Sequence, residues 1–272
     1  MNLRRWSAGV LAAALFVPGL TACNNAAEPS AGDASAAAPA VPADPKEALL
    51  ASTKEISKGN FTFTMTGGEL SGGGTVHLPS KSAEMKMTGG DAATESFSMD
   101  MHLIYLDTES WVKMDFTGPM ADAIPGAKKF KGKYQHLDRS KIKDAEELQF
   151  DFTDVDPAGG EALIKAVTDV KKTGEGAYAG TLDVTKATGA EMFDDELVKN
   201  LAGKASALPF TAKVDAQGRL SEFAVDVPAA GDAKAQKLTV TYSDYGTAAA
   251  VQKPPASQVV EASDETYEMF KK

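Results

Sequence analysis

The sequence predicts an α+β domain: one antiparallel sheet, with a few helices set outside the strand runs. Three observations lead there. From Asn60 the apolar residues recur with a period of two through five successive runs. The breaks between those runs are short and rich in Gly, Pro, Asp and Ser, as hairpins require. Helical spacing occurs in only three places, and strands come in blocks rather than alternating with helices.

The elements follow in order. Asp44-Pro45 supplies an N-cap acceptor and a first-turn proline, Ala48, Leu49 and Ile56 carry the apolar spacing, and Gly59 ends the helix. Phe61, Phe63 and Met65 then alternate with threonines as a half-buried strand. After Gly67-Gly68 a second strand runs to about Leu78, with Gly72-Gly73-Gly74 read as a bend or bulge. Ala83, Met85 and Met87 form a third. Phe97, Met99, Met101, Leu103 and Tyr105 share one face of a fourth, and Val112, Met114 and Phe116 continue that face after a turn at 107–109.

Residues 117–158 read as loop, interrupted by the basic cluster Lys128, Lys129, Lys131 and Lys133. An amphipathic helix is expected over 160–172 from Leu163, Ile164, Val167 and Val170, a strand over 178–184, and a helix over 194–205. Strands at 210–214, 220–227 and 238–242 close the domain, and an extended tail begins at Pro254. The count is eight or nine strands and three helices in one domain over 45–260, followed by a polar tail, 261–272, with room for a final helical turn.

The first 23 residues carry a separate message. Arg4 and Arg5 precede an apolar run from Ala8 to Leu20, then Thr21-Ala22-Cys23. That is the layout of a secretory signal over residues 1–22, and a run of about 13 apolar residues falls short of the ~20 a spanning helix needs. Leu20-Thr21-Ala22-Cys23 resembles a bacterial lipobox, so Cys23, the one cysteine of the chain, is assigned as a lipidation site. Residues 24–44, mostly Ala, Pro, Ser, Gly and Asn, read as a disordered tether with a reach of roughly 25 Å.

Composition narrows the partners. Removing residues 1–22 leaves 250 residues and moves the formal net charge from −10 to −12. An acidic chain argues against nucleic acid and against electrostatic docking onto anionic lipid. Attachment would rest on acyl chains, each buried CH₂ contributing about 0.8 kcal/mol. With a single cysteine there is no intrachain disulfide, and the core alone must hold the fold. The expected location is the extracytoplasmic side of the cell membrane, as a lipid-anchored monomer.

Beyond these features the chain resembles the LppX/LprG/LprA lipoproteins, which share a fold with the LolA and LolB carriers. The residues that carry the likeness are the lipobox, the Ala/Pro tether, Tyr105-Leu106-Asp107, Trp111-Val112-Lys113-Met114-Asp115, and a closing Tyr242-Ser243-Asp244-Tyr245-Gly246 with Val251, Pro254-Pro255 and Val259. The resemblance covers roughly 45–260 and has no catalytic signature. It implies a strongly curved antiparallel half-barrel, helices covering its concave face, and acyl chains held in the cavity between.

The residues point the same way independently. A sheet built on a rigid core relies on Val, Ile and Leu, whereas this one presents Met65, Met85, Met87, Met99, Met101 and Met114 with Phe61, Phe63, Phe97 and Leu103. Methionine is unbranched and polarizable and suits surfaces that accept varied apolar partners. These ten residues are the candidate ligand-cavity lining. The same pattern also fits a plain packed core.

Other chemistry is poorly supplied. Met85-Lys86-Met87 and Met99-Asp100-Met101-His102 bring soft sulfur to one face, but His102 alternates to the opposite face, so no metal is assigned. Asp151, Asp154 and Asp156 lack the spacing of a calcium loop. There is no Gly-x-Ser-x-Gly elbow, no His-Glu-x-x-His, and no cysteine left for a nucleophile once Cys23 is acylated. No enzyme activity and no cofactor are expected. The reading is a lipoprotein that binds or carries an amphiphilic lipid or glycolipid. The alternative is a surface lipoprotein with a dry core, acting in protein interaction or envelope regulation.

Overall fold

The computed structural model describes residues 41–67, 70–90, 97–119, 121–124, 127–142, 148–187, 193, 195–231 and 234–270. Cys23, the signal segment and most of the tether lie outside them. Residues 38–272 form one compact unit.

A single mixed sheet of twelve strands dominates: β1 (Asn60–Thr66), β2 (Leu70–His77), β3 (Ser82–Gly90), β4 (Ser98–Leu106), β5 (Glu109–Thr117), β6 (Tyr134–His136), β7 (Val167–Gly174), β8 (Ala177–Leu182), β9 (Leu208–Val214), β10 (Leu220–Val227), β11 (Gln236–Ser243) and β12 (Val259–Glu261). Their order is β12-β6-β5-β4-β3-β2-β1-β11-β10-β9-β8-β7, so the sheet is open and β12 and β7 are its edges. Every pairing is antiparallel except β12 with β6. The expected five-strand meander, β1 to β5, is present in sequence order.

The helices are short. α1 (Pro45–Ser52) starts where expected: the Asp44 carboxylate accepts from Lys46 N and Glu47 N, both at 2.9 Å, a cap worth about 1 kcal/mol. Gly59, at φ +63°, ends the turn that follows it. α2 (Ala127–Phe130), α3 (Gly160–Lys165), α4 (Asp195–Leu201) and α5 (Asp264–Glu268) complete the set. α1 and α3 contribute Leu49, Leu163 and Ile164 to the same buried cluster as Phe61 and Phe63 of the sheet.

Four expectations are corrected. The helix over 160–172 stops at Lys165, and Val167–Gly174 is a strand, because Val167, Thr168, Val170 and Thr173 favour an extended backbone. Gly72-Gly73-Gly74 is neither bend nor bulge but lies in unbroken register between β1 and β3. Cβ atoms at Gly72 and Gly74 would fall 2.3 and 1.9 Å from the carbonyl oxygens of Lys86 and Glu84, so glycine is there for close backbone approach.

The stretch 117–158 is more than a loop. It holds α2 and β6 and buries Leu137, Ile142, Leu148 and Val155 in the main core. Nor is the end of the chain simply a polar tail: Thr266 and Tyr267 of α5 are buried, and Tyr267 Oη accepts from Asp138 N at 2.8 Å.

Candidate functional site

Strand alternation and register define two faces, and the ten methionine-face residues all lie on one of them. Met101 stands opposite Met87 on β3 and Met114 on β5. Leu103 stands opposite Met85 and Val112, and Met99 opposite Gly89 and Phe116. Across β2 the side chains vanish: Gly72 separates Met65 from Met87, and Gly74 separates Phe63 from Met85. One row therefore reads Met65, Gly72, Met87, Met101, Met114. Phe97 lies just before β4, its ring 6.0 Å from that of Phe116.

Burial is graded along this face. Phe61, Phe63, Met85, Met101, Leu103 and Met114 are buried, with Leu103 at 1% exposure. Met65, Met87, Phe97 and Met99 are half-buried. All four sit towards one end of the meander, where β1 and β3 finish and β4 begins, together with half-buried Phe116. The apolar face is closed at one end and partly open at the other.

Register extends the row in a direction the sequence did not disclose. Met65 faces Val240 of β11, Val240 faces Phe223 of β10, Phe223 faces Ala212 of β9, and Ala212 faces Tyr178 of β8. The alternation of those strands is visible in the sequence, but their shared face is not, since β11 pairs with β1 across most of the chain. Phe210 and Phe223 stack at 4.9 Å, and Phe61 meets Tyr242 edge-on at 5.6 Å. The β8–β11 half is thus aromatic and aliphatic, and the β1–β5 half is rich in Met.

The middle segment packs onto this face. Phe150 lies 5.5 Å from the Tyr105 ring and 4.9 Å from Phe152. Tyr242 Oη donates to Asp156 Oδ1 at 2.7 Å, and Asp156 Oδ2 accepts from Glu161 N at 3.0 Å. Burial pushes the Asp156 carboxyl above its ordinary pKa, although the Glu161 amide, Tyr242 and the Ala158 amide oppose the shift. Burial first, then the Asp156 charge, drives Tyr242 well above the ordinary tyrosine value.

The opposite face is polar and strapped. His102 projects there, as alternation requires, bridging Glu84 Oε2 (2.9 Å) and Tyr134 Oη (2.8 Å). That hydrogen bond holds Glu84 below the usual glutamate pKa, against an opposing contribution from burial and with help from Lys86. Ile104 and Trp111 are nonetheless buried on this face. The segment after β11 accounts for it: Val251 N donates to Ser82 Oγ at 3.0 Å, and Lys253 pairs with Glu109 and lies 5.8 Å from the Trp111 ring. The strap then pairs as β12 with β6.

Among the described residues no cluster of three or more His, Cys, Asp and Glu side chains is placed to hold a metal ion. No helix of the described residues is long and apolar enough to cross a membrane. Compared with known families and with curated proteins, the chain matches no family model and no curated sequence.

Proposed function

We propose that this protein is a lipid-anchored extracytoplasmic lipoprotein that binds or carries an amphiphilic lipid or glycolipid against the methionine-rich face of its sheet. In this reading the open twelve-stranded sheet curves as a half-barrel, with helices over its concave side. The ligand is held by apolar contact alone, without cofactor, metal or catalysis.

The observation that carries the reading is the in-register row Met65, Met87, Met101 and Met114, with glycine where it crosses β2. Four thioether chains and a missing side chain give a surface that can re-pack around acyl chains of different length. Partial exposure of Met65, Met87, Met99 and Phe97 at one end supplies an entrance.

A second reading has an observation of its own. Six of the ten residues are buried and belong to one continuous core cluster. That favours a dry core, and with it a role in protein contact or envelope regulation.

Mass spectrometry of organic extracts from the purified Cys23→Ser protein separates the two. A stoichiometric acyl-bearing compound is expected on the carrier reading; lipid-free protein from a lipid-rich host counts against it. The anchor is tested by fractionation. Cys23→Ser should leave the membrane fraction once the signal is cleaved, and its retention there would defeat the lipidation assignment.

A further inference from the structure

We propose that the free edge of β7 pairs with the same edge of a second copy of this chain, antiparallel about a twofold axis at Val170, and so joins two sheets into one. The inference goes beyond the carrier reading and does not depend on what the apolar face holds. It departs from the monomer expected from the sequence.

β7 is an edge of the sheet and pairs only with β8, so one row of its backbone N–H and C=O groups has no partner in the sheet. At its start Lys46 of α1 donates from Nζ to Val167 O at 2.8 Å. Beyond that point Thr168, Asp169, Lys171, Lys172, Thr173 and Gly174 are all exposed, and Val170 is half-buried. The pairing with β8 shifts register on either side of Asp169–Lys172 and is regular within those four residues. Asp169 and Lys171 stand opposite Thr181 and Ala179 on the polar face. Val170 stands opposite Gly180, and Gly180 opposite Phe210, on the apolar one.

Symmetry limits how two such edges can meet. Antiparallel strands related by a twofold axis through the sheet place one residue opposite itself, and its neighbours on either side then face each other. With Asp169, Lys171 or Lys172 at the axis, like charges would meet there, which destabilises a cross-strand pair. Val170 is the remaining residue of the regular stretch. With it at the axis, two valines meet on the apolar face, and on the polar face Asp169 of each copy faces Lys171 of the other. Among the described residues neither Asp169 nor Lys171 forms an ion pair within the chain, so neither charge is used elsewhere. The paired segment is short, so the dimer is weak and concentration-dependent. On the proposed acyl anchor two copies share one bilayer, and a twofold axis along its normal leaves both tethers at the same height.

The test uses the full chain carrying Cys23→Ser and follows its mass against concentration by sedimentation equilibrium, where a weak dimer is expected. Asp169→Lys alone and Lys171→Asp alone each set like charges opposite one another, and each should dimerise roughly tenfold more weakly or worse. The double variant D169K/K171D should recover the dimer, and an equimolar mixture of the two single variants should form a heterodimer. Both positions are exposed, so Tm should be unchanged throughout. In the same background Val170→Cys should oxidise to a disulfide-linked dimer faster than Thr173→Cys, which is more exposed but lies away from the axis. Lysines and bulges can also blunt an edge against pairing. In that case every variant stays monomeric, and that result overturns the proposal. A dimer indifferent to the charge changes overturns it too, since another surface would then carry the contact. Lipid extracted from the same samples reports on the carrier reading independently.

Discussion

The hydroxyl of Tyr242 and the carboxylate of Asp156, 2.7 Å apart, join β11 to the middle segment 86 residues away. Gly160 N also donates to that hydroxyl, at 3.2 Å, so one phenol fixes both the segment and the start of α3. Tyr242→Phe keeps the ring against Phe61 and removes both hydrogen bonds of the hydroxyl. It should cost about 1–3 kcal/mol, read from the urea midpoint at constant m-value. The pH dependence gives the sign. The folded pKa of Asp156 lies above its ordinary value of 3.8, so the stability tied to its proton is full below that value and is lost as pH rises through the folded pKa. Tyr242 is one of the groups holding that pKa down, so the variant's deficit should grow as pH rises above the ordinary 3.8. A deficit independent of pH would show that Asp156 does not depend on this hydroxyl.

Glu84 carries the opposite sign. Its folded pKa lies below the ordinary 4.5, chiefly through the hydrogen bond from His102. Its contribution is therefore present above about pH 4.5 and is lost as pH falls through the folded value. Glu84→Gln keeps an acceptor for His102 but no charge. Its stability should fall less steeply than that of the parent between about pH 5 and pH 3 in denaturant titrations. Equal slopes would remove Glu84 from the acid limb.

Crowding at β2 predicts a contrast between glycines. A Cβ at Gly74 would meet the Glu84 carbonyl oxygen at 1.9 Å, and backbone cannot step aside without breaking the register of β2 and β3. Gly74→Ala should cost ~3 kcal/mol or more, or abolish soluble expression. Gly132, at φ +70° with nothing within 4 Å of its Cβ position, offers only conformational strain. Gly132→Ala should cost roughly 1–2 kcal/mol. If the two variants melt alike, close approach is not why β2 carries three glycines.

These glycines also mark where sequence reasoning stops. The meander was legible because a half-buried strand imposes a period of two on β1, β3, β4 and β5, with β2 set by the turns on either side of it. The α3–β7 boundary was not, since Leu163, Ile164, Val167 and Val170 satisfy a helical spacing even though the last two lie on a strand. The middle segment buries Leu137, Ile142, Leu148 and Val155 one at a time, and single insertions leave no period to read. The ten candidates on β1, β3, β4, β5 and just before β4 could be placed on one face from alternation alone, without Val112, Phe116 and Tyr105, which share it. Its continuation through Val240, Phe223 and Tyr178 required the β1–β11 register, which joins residues far apart in the chain.

Leu103→Trp sets the two functional readings against each other. Leu103 is 1% exposed at the centre of β4, between Met85 and Val112 and one pair from the Met101 row. If the methionine face is filled by an exchangeable acyl chain, the indole takes volume the ligand had occupied. Stability of the lipid-free protein should then hold, and extractable lipid should fall. If the face is a packed core, the same substitution overpacks it, at a typical cost of ~1–3 kcal/mol. A shift of about 4 °C or less per kcal/mol is expected for a domain of this size, so the Tm separates the cases when read beside the lipid content. Retained Tm with lipid lost only in the variant supports carriage. A lowered Tm with no lipid in either protein would defeat it, because the methionines would then be filling space that no ligand enters.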